Sequence, residues 1–157
     1  MAGCALLPAP FGKQPPPGSP VPVAPISTDQ IALNLAAERW AAAGMDDYRL
    51  DLGFLCMCAL PPRVIVEVVD GVPTVTDGDG NPIDADKLAF TPVTINQLFA
   101  ESRKAFANGG TVAATFDPMT GVPARLDIDY VPQAIDDELS IVINAFEPGV
   151  PGVTDRN

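Results

Sequence analysis

Residues 48–58 alternate between two faces. Tyr48, Leu50, Leu52, Phe54, Cys56 and Cys58 fall on one face; Arg49, Asp51, Gly53, Leu55 and Met57 fall on the other. A period of two marks a strand with one side against a core, and Pro61-Pro62 predicts its end. A second strand is expected over residues 63–69. Asp70-Gly71 is hairpin-turn chemistry leading into a third strand over 72–76. Three more strands are expected further on, over 111–117, 124–131 and 139–146, with a turn at 118–123. In the fifth, Leu126, Ile128 and Tyr130 face inward and Asp127 and Asp129 outward.

Two segments change the period to that of a helix, and both open with the same signal. Ser27 is an N-cap with Gln30 three residues later, and Ile26 and Ile31 are spaced as a hydrophobic staple. Thr94 and Gln97 repeat the arrangement with Val93 and Leu98. The first helix is expected to run to about Gly44. Gln30, Asn34 and Glu38 form its polar stripe, and Ile31, Leu35 and Trp40 belong to its apolar remainder. The second groups Ile95, Leu98, Phe99, Ser102 and Phe106 and ends at Asn108-Gly109-Gly110.

The order is therefore α-β-β-β-α-β-β-β. Links of hairpin length require antiparallel neighbours, so the expected fold is α+β: a single antiparallel sheet of about six strands with two helices packed on one face. The folded domain is expected over residues 27–148, with a proline-rich tether over 1–26 and a flexible tail over 149–157.

Residues 5–26 hold eight of the 18 prolines, including Pro15-Pro16-Pro17, and show neither period. Such a stretch favours extended polyproline II and acts as a semi-rigid spacer. It follows Ala2-Gly3-Cys4, which resembles the end of a bacterial lipobox, where a small pair precedes the cysteine that receives diacylglycerol. The expectation is an extracytoplasmic lipoprotein of the cell envelope, anchored to a membrane through lipid on Cys4. A basic and apolar signal segment is expected upstream in the gene.

Several positions together resemble a bacterial family known only as a domain of unknown function and common on predicted lipoproteins. They are Trp40 followed by Tyr48, then Cys56-Met57-Cys58, and a valine-rich strand ending in Asp70-Gly71. Next come the helix start from Thr94 to Phe99, Phe116-Asp117 with Gly121 and Pro123, and Asp136-Asp137-Glu138. The resemblance spans about residues 35–148; Val122 stands where an aromatic residue is expected. It implies fold and location and no activity.

Composition narrows the chemistry. There is no histidine, which removes serine–histidine and cysteine–histidine catalysis within the chain and the commonest metal ligand. A net charge of −11 argues against nucleic acid as a partner. Of the three cysteines, lipid on Cys4 would leave Cys56 and Cys58 as a pair. In an oxidising compartment they are expected to bond to each other. Two packed thiols, or a thiol–disulfide redox site, are the alternatives. Asp77, Asp79, Asn81 and Asp84 (with Asp86 beyond) alternate like calcium ligands. Pro82 and Leu88 break the EF-hand pattern, so an ordinary polar hairpin loop is the plainer reading. Asp136-Asp137-Glu138 near Asp127 and Asp129 is the densest acidic cluster and reads as a solvated edge. No catalytic residue and no cofactor is assigned. The expected function is a non-enzymatic envelope module that binds an envelope protein or cell-wall partner; the alternatives are redox chemistry at Cys56 and Cys58 and a cation-binding acidic loop.

Overall fold

The computed structural model describes residues 26–56, 59–134 and 137–149. The elements are α1 (Thr28–Ala43), β1 (Tyr48–Leu55), β2 (Arg63–Val69), β3 (Val72–Asp77), a one-turn α2 (Ala85–Leu88), α3 (Ile95–Ala107), β4 (Thr111–Phe116), β5 (Pro123–Asp129) and β6 (Glu138–Pro148). The strands form one sheet in the order β3-β2-β1-β6-β5-β4, antiparallel throughout. This is the expected α+β architecture, with α2 added between the third strand and the main second helix.

The alternation that predicted β1 places its core. Tyr48, Leu50, Leu52 and Phe54 are buried, and each leucine taken out of water stabilises the fold by about 1.5–3 kcal/mol. Val64, Val66 and Val68 of β2 and Leu126 and Ile128 of β5 lie in the same core as α1 and α3. β1 ends at Leu55, short of the expected 58, because the Phe54 N–H already bonds to the Pro62 carbonyl (2.8 Å) and the prolines cannot extend a ladder. The Asp70-Gly71 turn has φ of 50° and 75°, the left-handed pair of a type I′ hairpin.

The two helix starts behave differently. At α3 the capping box is complete, since the Thr94 hydroxyl accepts from the Gln97 N–H and the Gln97 side chain accepts from the Thr94 N–H, with Val93 and Leu98 buried. At α1 the Ser27 hydroxyl accepts from the Gln30 N–H, but Ile26 and Ile31 stay in solvent, so no buried staple forms. The buried face of α1 is Leu33, Ala36, Ala37 and Trp40. Ile31 and Leu35, assigned by the sequence to the same apolar side as Trp40, are 50% and 47% exposed. The small Ala36 and Ala37 win the inward positions because the β4–β5 turn comes down on the helix there. A Cβ on Gly121 would lie 2.0 Å from the Ala36 carbonyl oxygen.

Candidate functional site

The residues that carried the family resemblance meet at joints between elements. Trp40 of α1 packs edge-on against Tyr48 of β1 (5.2 Å between ring centres) and against Phe146 of β6 (6.0 Å). The Trp40 indole N–H donates to Asn96 Oδ1 (2.9 Å), and the Ile95 N–H donates to the Tyr48 hydroxyl (3.3 Å). Both aromatic groups thus tie to the first turn of α3; the Tyr48 hydroxyl accepts from one of its N–H groups, which have no partner within the helix. Burial raises the Tyr48 pKa above the usual phenol range, opposed by the bonds from Ile95 and Thr94. Asp117 caps the β4–β5 turn by accepting from the N–H groups of Met119 and Thr120 and from the Thr120 hydroxyl. Those bonds hold its carboxyl below the usual range. With Gly121 pressed on α1, these residues are architecture rather than chemistry.

The helices cover one face of the sheet. Several charged side chains on the other are taken up by neighbours. Arg63 grips Asp51 with Nε and Nη2 at 3.0 and 2.6 Å, and Asn144 adds a third donor at 3.2 Å. Arg63 therefore pulls the Asp51 pKa down, with Asn144 assisting. Arg49 lies between Glu67 (3.5 Å) and Glu147 (3.6 Å). Arg125 holds Asp127, which also accepts from the Ser140 hydroxyl, and both lower its pKa, Arg125 the more. Asp129 stands directly across from Glu138. Asp127 and Asp129 face outward as expected; of the inward trio, Leu126 and Ile128 are buried and Tyr130 is half-buried.

The other sequence candidates separate. Asp77 Oδ1 accepts from the N–H groups of Asp79 and Asn81, and Oδ2 from the Asn81 amide, all at 2.9 Å, so its oxygens close a turn. Asn81 first and then the backbone lower its pKa. Asp84 pairs with Lys87 (3.7 Å) at the start of α2. Among the described residues no group of three or more carboxylate or cysteine ligands converges on a cation position. Cys56 packs against the core at the end of β1. Cys58, Cys4 and Asp136 lie outside the described residues. Asp137 accepts from the Val131 N–H (2.6 Å).

One feature has no counterpart in the sequence reading. β6 runs eleven residues, but its pairing with β5 stops at Val142 opposite Arg125, while its pairing with β1 continues to Pro148. Past Val142 the β5 side of β6 opens into a cleft of about 330 Å³. Ile143, Asn144 and Phe146 form one wall, and Thr120, Val122 and Ala124 the other. Alternate residues of a strand direct N–H and C=O to each side. Past Val142 a register shift against β1 turns Ala145 and Glu147 toward β1 and leaves Phe146 directing its backbone to the cleft side. The signal was the length of β6 against β5, which becomes visible only once the register is known.

A family model described as a family of unknown function (DUF6174) matches residues 32–148. No curated protein and no solved structure matches the chain.

Proposed function

Because the chain belongs to the family of unknown function DUF6174 over residues 32–148, an assignment that carries no activity, we propose a role from its own residues: a module of a bacterial cell-envelope lipoprotein, held to a membrane by lipid on Cys4 and working by binding a partner. The observation that carries this reading is Ala2-Gly3-Cys4 followed at once by a stretch with eight prolines that ends where the folded domain begins. A disulfide between Cys56 and Cys58 accords with it, since such bonds persist in oxidising compartments. With Cys4 lipidated, Cys58 is the remaining partner in the chain. Binding is favoured over catalysis because the carboxylates that could do acid–base work at Asp51, Asp77, Asp117 and Asp127 are each engaged by donors that hold them ionised. A general acid needs the opposite shift.

The test is fatty-acid labelling of the protein made from its native gene. Wild type should take up a clickable fatty acid and fractionate with membranes; Cys4→Ser should lose the label and leave the membrane fraction. Unlabelled wild-type protein in the soluble fraction would overturn the reading.

A further inference from the structure

We propose that the outer edge of β4 pairs with the same edge of a second copy of this chain, giving a closed two-fold dimer with one continuous sheet. The proposal stands apart from the lipid anchor and from the partner reading above. β4 is the last strand on its side of the sheet. Two bonds fix which way its backbone points. The Asp117 N–H bonds to the Val122 carbonyl (2.8 Å), toward β5, and the Gly110 N–H bonds to the Ala105 carbonyl of α3 (2.9 Å) instead. Alternation between them puts the N–H and C=O groups of Val112, Ala114 and Phe116 on the outer side. Among the described residues no hydrogen bond is made to those groups there. Thr111 to Phe116 contains neither proline nor a charged residue, and Thr111, Ala113 and Thr115 are exposed. Strand edges that must stay single usually carry one of those devices. The occupant follows from the edge itself. The antiparallel register that uses all three outward residues sets Ala114 opposite Ala114 of the second copy, at the two-fold axis, and Val112 opposite Phe116 of the second copy. These side chains pack on the helix side, where Val112 is buried and Phe116 stacks on Phe99, so the two cores meet on one face. Ala113 then meets Thr115 and Thr111 meets Asp117, so no like charges are opposed. Assembly stops at two because the opposite edge is closed: Pro73 has no N–H, and Ile83 takes the Val75 carbonyl. The contact is small and each chain carries −11, so association is weak, with a Kd of about 0.1–1 mM at about 0.5 M salt, where repulsion is screened.

The experiment is sedimentation velocity of the full chain carrying Cys4→Ser, so that neither lipid nor a bond through Cys4 joins copies. At about 0.5 M salt the protein should pass from monomer to dimer between about 10 µM and about 1 mM, with nothing larger. Amide exchange at Val112, Ala114 and Phe116 should slow along the same curve. Ala114→Pro removes the central outward N–H, leaves the ladder to β5 its donors, and should remain monomeric. Ala114→Cys tests the register without a backbone change. Facing residues of a bonded pair lie about 5.5 Å apart at Cα, within disulfide reach. Mild oxidation should therefore link Ala114→Cys into covalent dimers at least about tenfold faster than Ala113→Cys, which faces Thr115. A monomer at about 1 mM, species larger than the dimer, a dimer in which the Val112, Ala114 and Phe116 amides stay fast, or equal cross-linking of the two cysteine variants would each overturn the proposal. So would slow exchange of those amides in dilute protein, since the chain would then cover its own edge. A folded Ala114→Pro that still dimerises would overturn it too; if that variant does not fold, exchange and cross-linking decide.

Discussion

The outer side of β3 and the far half of β6 are both places where the sheet runs out of strands, yet they are finished differently. The Ile83 N–H bonds to the Val75 carbonyl (3.1 Å), so Val75 points its backbone outward, as must Pro73 and Asp77 two residues to either side. Pro73 has no N–H to offer, the Val75 carbonyl is taken by Ile83, and the Asp77 N–H is given to the Asn81 carbonyl (2.9 Å). The β3 side is closed against another strand by the chain's own residues. β6 past Val142 has neither proline nor a returning loop over its cleft side among the described residues until Pro148. One edge is closed by a proline and a returning loop; the other ends in a register shift past which Phe146 turns its backbone toward the cleft.

The most severe way to break this comparison is to move the wall of the cleft. Gly121 has φ of 77°, and a Cβ there would lie 2.0 Å from the Ala36 carbonyl oxygen and 3.1 Å from the Trp40 nitrogen. Both are backbone atoms of a helix that cannot yield locally. Gly121→Ala should cost about 3 kcal/mol or more, read as a large fall in the urea midpoint. A change under about 0.5 kcal/mol would mean that the turn does not rest on α1. The next largest effect concerns the brace behind the cleft. Tyr48→Phe keeps the ring against Trp40 and Phe146 but leaves the buried Ile95 N–H without its acceptor. The loss should be about 1–3 kcal/mol, and Trp40 fluorescence should report the loosened packing.

These joints show what was legible in the sequence. Every strand was, because each is a local alternation or a turn signal: Tyr48, Leu50, Leu52 and Phe54 sit where their period put them, and Thr94 with Gln97 forms the box their spacing foretold. The face of α1 was not, because Ile31 and Leu35 are more apolar than Ala36 and Ala37, and only the approach of the β4–β5 turn decides that small residues go inside. The cleft was not legible either. It depends on β6 reaching Pro148 while β5 begins at Pro123, and on the register shift between Asp51 and Leu52 against β6. Those are consequences of pairing between residues about ninety positions apart, such as Asp51 and Asn144.

Two smaller effects sharpen the contrast. Pro73→Val restores an outward N–H on β3. It should leave the urea midpoint nearly unchanged and introduce concentration-dependent growth past the dimer by light scattering, which wild type should lack. Equal behaviour of the two proteins would show that the Ile83 return closes the edge unaided. The smallest effect is electrostatic. Arg63 and Asn144 depress the Asp51 pKa in the folded state. The stability this contributes is present above the unfolded value near ~3.9 and is lost as pH falls through the lower folded value. The melting temperature should therefore decline below about pH 4, and less steeply in Asp51→Asn. Identical slopes in the two proteins would remove the pair from the account.

The central claim is that β6 is paired on both sides only in its first half. Residue-resolved amide hydrogen exchange on the free full chain tests it directly. In residues 138–142 all amides should be slow, those toward β5 and those toward β1 alike. In residues 143–147 the Ala145 and Glu147 amides, turned toward β1, should be slow, and the Phe146 amide, turned toward the cleft, should exchange orders of magnitude faster. Uniformly slow exchange along the whole of β6 would contradict the account, because it would mean that the cleft side of this strand is already paired.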